Sequence, residues 1–172
     1  MAIRDELIIG KDAFVELSYV DSNVQTSLVR VAMVRAQDNY IEPILGTILY
    51  KKILADIQAN TLTGLYETLV NDYVVKYLVP MIEVGLMPHL NVEQRNKAVG
   101  TSSDETITSA DDKRVYSLIR TTEKEAQVYK RRLVAWLCDN ADSLPEYTEA
   151  TDTAEEISPD KDSGSTLNIS FL

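Results

Sequence analysis

The longest regular pattern in the chain runs from residue 109 to about residue 140. Apolar or small residues recur there at Val115, Ile119, Thr122, Ala126, Tyr129, Leu133 and Trp136, in alternating steps of four and three. This spacing draws one stripe down a helix and predicts packing against other helices along its whole length. Ser109 followed by Asp112 resembles a capping box at its start. Upstream, Val24, Leu28, Val31 and Ala32 predict a helix capped by Asp21 or Ser22 and ending near Asn39. A second helix opens at Pro43, a residue suited to a first turn. It carries Ile44, Ile48, Leu49, Ile53, Leu54 and Ile57 to a stop at Asn60, with Gly46 early in it, where a neighbour can approach closely. Thr63 with Glu67 loosely resembles a cap before a third, through Leu65, Leu69, Val74, Tyr77 and Leu78. Pro80 should kink or break that helix and push Val79 out of the ideal helical region. A further short piece is expected over 81–86.

Two segments read as extended. Residues 13–19 alternate Ala13, Val15, Leu17 and Tyr19 against Phe14, Glu16 and Ser18, a period-two signal with a short helix as the competing reading. Residues 166–172 alternate more cleanly, with Leu167, Ile169 and Phe171 opposite Thr166, Asn168 and Ser170. That motif has no partner nearby in the chain and fits addition to a sheet or groove on another chain; the competing reading is a frayed terminus.

Charge separates these regions. The chain of 172 residues has a formal net charge of −10, and residues 142–172 hold eight acids against one base, Lys161. Residues 1–141 hold the other 19 acids against 16 bases. A segment so acidic and so poor in core residues cannot offset its ordering entropy by burial. The expected division is therefore a helical body over 1–147 and an acidic arm over 148–172. The expected fold class is mainly α: a bundle of about four to five helices with a long C-terminal helix, a short extended N-terminal segment and an extended C-terminal arm. The acidic balance argues against sequence-independent nucleic-acid binding, which needs a basic stripe. No uncharged run approaches the ~20 residues of a membrane span.

The residues offer little catalytic chemistry. One cysteine and one histidine leave neither a disulfide framework nor a Cys or His metal cluster. The glycines stand apart, so no phosphate loop is present, and no Glu-x-x-His pair of the di-iron bundles occurs. His89 reads as a surface or interface residue, and Cys138 as a buried structural thiol. Asp104-Glu105 and Asp111-Asp112 fall around a loop and a helix start, where acids have structural uses. Lys130, Arg131 and Arg132 read as a solvated basic face. Nine tyrosines against two phenylalanines suit half-wet surfaces, and core-edge packing explains most of them equally well. No catalytic, cofactor-binding or metal-binding residue is expected.

One ordered series carries a resemblance. It comprises Ala36-Gln37-Asp38-Asn39-Tyr40-Ile41-Glu42-Pro43-Ile44-Leu45-Gly46-Thr47-Ile48-Leu49-Tyr50, then Leu62-Thr63-Gly64, then Asp72-Tyr73 with Pro80. It continues with Tyr129-Lys130-Arg131-Arg132-Leu133 and Leu137-Cys138-Asp139-Asn140, and closes with Leu144-Pro145-Glu146-Tyr147. Over roughly residues 8–147 this series resembles head–tail connector (adaptor, head-completion) proteins of tailed bacteriophages, nearest to those of crAss-like and other Bacteroides phages. No single motif in it is catalytic. Asn96-Lys97-Ala98-Val99-Gly100 departs from the Asn-Lys-Gly-Val of that group, which bears on the turn at 96–100.

The resemblance implies a virion protein of the neck, assembled in the host cytoplasm. It would form a homo-oligomeric ring, typically twelvefold, beneath the portal protein and extend the DNA channel. Its partners would be the portal and the next neck or tail ring, with genomic DNA passing non-specifically and no membrane. The expected partner-binding residues are Leu167, Ile169, Phe171 and Leu172 on the arm. Asn96, Lys97, Val99 and Gly100 would join them on a loop over about 92–108. Two other classes stay open: a small acidic regulator or DNA-mimic inhibitor, and a helical-bundle enzyme. The first is disfavoured because most of the net acid is in the tail, the second because ligand and base motifs are missing.

Overall fold

The computed structural model of the chain describes residues 6–99 and 112–148, and these are helical with no strand among them. The mainly-α expectation is met. Helix α1 spans Lys11–Leu17 and α2 spans Thr26–Ala36, which passes through a π-helical turn, Gln37–Ile41, into the short α3, Glu42–Leu45. Then follow α4, Thr47–Ala59, and α5, Gly64–Thr68, which runs through a second π-helical turn, Leu69–Val74, into α6, Val75–Val99. The long helix is α7, Asp112–Asp139, and a 3-10 turn, Ala141–Ser143, leads to α8, Pro145–Thr148.

Helix α6 lies between α2 and α7, and α8 closes onto α4. The apolar face of α7 follows the sequence pattern closely. Ala126 and Leu133 are fully buried, Thr122 is buried, and Val115, Ile119, Tyr129 and Trp136 are half-buried. Trp136 stacks on Tyr73 of the second π turn, with ring centroids 5.1 Å apart. Cys138 is exposed, which corrects the buried-thiol reading. It is one position past the fully buried Leu137, and one residue of helix turns a side chain ~100° towards the outer face.

The N-terminal segment also departs from expectation. Residues 11–17 form a helix, not an extended strand, as the competing reading had it. Phe14 is fully buried, whereas Leu17 and Tyr19, on the other side of the alternation, are 60% and 99% exposed. The alternation was incidental, and one aromatic anchor sets the orientation. Asp21 makes a turn rather than a cap: its Oδ1 accepts the Asn23 N–H at 3.0 Å, and α2 begins only at Thr26.

Gly46 is a junction and not a position inside the second helix. Its φ of 76° and ψ of 153° belong to a region that side chains with a Cβ avoid, so α3 stops there and α4 starts in a new direction. Asn60 ends α4 in the left-handed conformation, φ 54°, as its place in the sequence suggested.

Pro80 neither breaks α6 nor ends it, and Pro88 also sits inside the helix. Each proline removes a single donor. Around Pro80, Tyr77, Leu78, Val79, Met81 and Ile82 are all buried, and tertiary packing of this kind outweighs local propensity. Residues 92–99 are helical rather than loop. They hold Glu, Gln, Arg, Lys and Ala with no Pro or Gly before Gly100, so nothing local stops the helix.

Candidate functional site

The first π turn organises one end of the bundle. Gln37, 1% exposed, donates from Nε2 to the Glu6 carbonyl at 2.9 Å and accepts the Ile8 N–H on Oε1 at 3.2 Å. A buried amide with donor and acceptor both used ties the N-terminal segment to the bundle. The Tyr50 hydroxyl donates to Asp38 Oδ1 at 2.8 Å, and Thr47 Oγ1 donates to Glu42 Oε1 at 3.1 Å across Gly46. At the other end of the chain, the Tyr66 hydroxyl donates to Glu146 Oε2 at 2.7 Å, holding α8 to α5. Burial, then that bond and the Glu146 charge, push the Tyr66 hydroxyl up to about 12.

Several grooves open on the surface of this frame, and two of them flank α6. The larger, about 460 Å³, lies between α2 and α6 and is lined by Leu28, Val31, Arg35, Tyr40, Met81 and His89 among others. Val31 is 49% exposed within it. The second, about 360 Å³, lies between α1, α6 and α7, where Leu17, Tyr19, Val79, Pro80, Glu83 and Tyr129 meet Glu125.

Glu83 is the unusual residue of that second groove, a carboxylate only 6% exposed. Its Oε1 accepts the Tyr19 N–H at 2.7 Å. Burial pushes its carboxyl above the usual glutamate range, the Tyr19 N–H opposes this, and Glu125 adds to the rise. The lining around it is mixed, with Leu17, Val79 and Pro80 beside Glu16, Lys76 and Glu125, so this buried carboxylate keeps one backbone hydrogen bond in a partly polar surround. The sequence reading passed over it, although a single acid in the apolar run from Val75 to Leu90 was the available signal.

Of the predicted partner-binding residues, Asn96, Lys97 and Val99 fall within the described residues. Leu167, Ile169, Phe171, Leu172 and Gly100 lie outside the described residues, as do Ser109 and the rest of the arm beyond Thr148. Asn96, Lys97 and Val99 fall in the final turns of α6. His89 is exposed at the rim of the larger groove. Among the described residues, no three His, Cys, Asp or Glu side chains are grouped to hold a metal ion, and no helix is long and apolar enough to cross a membrane.

Among known proteins, no curated protein and no solved structure matches the chain. One family model does, described as a family of unknown function (DUF6712), over residues 41–157. The match begins at the end of the first π turn and takes in the Gly46 junction, α4, α6, α7 and the α8 closure. It covers well over half of the 172 residues, and the chain belongs to the DUF6712 family.

Proposed function

We propose that the chain is a structural subunit of the head–tail connector of a tailed bacteriophage. It would form a ring beneath the portal that joins head to tail and extends the DNA channel. The family carries no activity of its own to transfer, so the reading rests on the ordered series of residues between Ala36 and Tyr147. Those residues coincide with the load points of the fold. The stretch 36–50 builds the π turn, the Gly46 junction and the Asp38–Tyr50 bond, while 144–147 close α8 against α4 and α5. A ring subunit needs a rigid body whose flanks differ, because head-to-tail contacts join unlike faces. The acid-lined groove at Glu83 and Glu125 and the α2–α6 groove, which holds Arg35 and His89 and no acid, supply such unlike flanks. The cationic stripe of α7 weighs against the DNA-mimic alternative, which requires acid on the body.

The test is co-expression with the portal protein of the same phage, followed by electron microscopy of the purified complex. The expected result is a ring of this chain seated coaxially on the portal. A chain that remains unbound in the presence of assembled portal contradicts the proposal.

A further inference from the structure

Helix α7 is cationic in an acidic chain. Lys113, Arg120, Lys124 and Arg131 are all exposed on it. At 3.6 residues per turn these four fall within about 40° of one another, opposite the buried Ala126, over about 27 Å of helix. Ser117 and Thr121 share a shallow surface depression with Lys113, Tyr116, Arg120 and Lys124. Glu123, Glu125 and Asp139 lie to either side of the stripe rather than on it.

The chain carries its own complement to this face. Downstream of α8, residues 149–162 hold Glu149, Asp152, Glu155, Glu156, Asp160 and Asp162 against one base, Lys161. We propose that this acidic segment lies along the cationic outer face of α7 of the same chain. Its length permits this: 14 residues reach up to about 45–50 Å when extended, enough to turn back from α8 and still cover the stripe. A tether this short keeps the local concentration of acid near the face in the millimolar range, so individually weak exposed pairs act together. A free polyanion such as duplex DNA must instead approach a chain of net charge −10 and displace the tethered acid, which disfavours it as the occupant. The inference does not depend on the connector reading, and it is tested on the isolated full chain.

Zero-length carbodiimide crosslinking, read by mass spectrometry, reports the contact. Dilute full-length protein, mixed from ¹⁵N-labelled and unlabelled copies, should give crosslinks from Lys113 and Lys124 to carboxylates of 149–162 within single copies. They should vanish in about 1 M salt, where the screening length falls to about 3 Å. The double variant Arg120→Glu with Arg131→Glu keeps both reporter lysines and exchanges one exposed helix former for another. It should lose the crosslinks with an unchanged circular dichroism spectrum. Adding Glu155→Arg and Glu156→Arg to it should restore them. Three results overturn the inference: no such crosslinks at low salt, crosslinks that persist in the charge-reversed chain, or crosslinks only between differently labelled copies. Binding of a DNA duplex by the full chain, lost in the double variant, would likewise assign the face to nucleic acid and sink it.

Discussion

Single residues fix the junctions on which the bundle turns. Gly46, at φ 76°, occupies backbone space that a Cβ makes costly, and Gly46→Ala should destabilise by about 1–3 kcal/mol in denaturant unfolding. Tyr50 is fully buried and donates to a carboxylate. Tyr50→Phe should therefore cost about 1.5 kcal/mol, since bonds to charged groups stand at the stronger end of the range. Glu83 acts in the opposite sense. Its carboxyl titrates higher in the folded chain than in the unfolded one, so the folded state binds the extra proton and stability falls as pH rises through that window. The window opens at the ordinary glutamate value of 4.5. Glu83→Gln preserves the acceptor for the Tyr19 N–H and removes the charge. Thermal melts from pH 4.5 upward should show the variant gaining on the parent as pH rises; a constant difference would show that Glu83 is not desolvated in solution.

At the scale of elements, α7 offers the sharpest check on how the helices pack. Leu133 is fully buried, whereas Val128 is 38% exposed on the outer face. Leu133→Ala should cost about 2–5 kcal/mol, and Val128→Ala should stay within about 0.5 kcal/mol of the parent. Equal effects at the two positions would mean that the helix is rotated from the orientation described. This element was readable because its periodicity repeats over many turns, so the stripe averages out any single misleading residue. Shorter elements gave no such redundancy. In α1, three apolar residues at alternate positions imitated a strand, and only the burial of Phe14 decides for a helix. The expected break at Pro80 failed for a different reason: local propensity was right about the lost donor, while the packing of α6 between α2 and α7 lies in residues distant in sequence. The π turns at 37–41 and 69–74 carry Asp38-Asn39 and Asn71-Asp72, pairs that suit many kinds of turn and so do not single out a π turn inside a helix. The Glu83 groove is assembled from three helices, and it becomes visible only once they are packed.

Across the whole molecule, the net charge of −10 is shared equally between the 147-residue helical body and the 25 residues beyond it, so the acid is far denser in the arm. A frame held by the Gln37, Tyr50 and Tyr66 bonds described above should fold independently of the last seven residues. Removing 166–172 is therefore expected to leave the circular dichroism spectrum and melting temperature unchanged while lowering the yield of complete particles. Loss of the fold on that truncation would place Leu167, Ile169 and Phe171 in the core and remove them as partner-binding residues. The central claim, that this chain belongs to the neck ring, is tested most directly by counting it in the particle. Quantitative mass spectrometry of purified virions, with the portal protein as internal standard, should find the chain present in copies about equal to the portal. Its absence from mature particles that contain the portal would contradict the account.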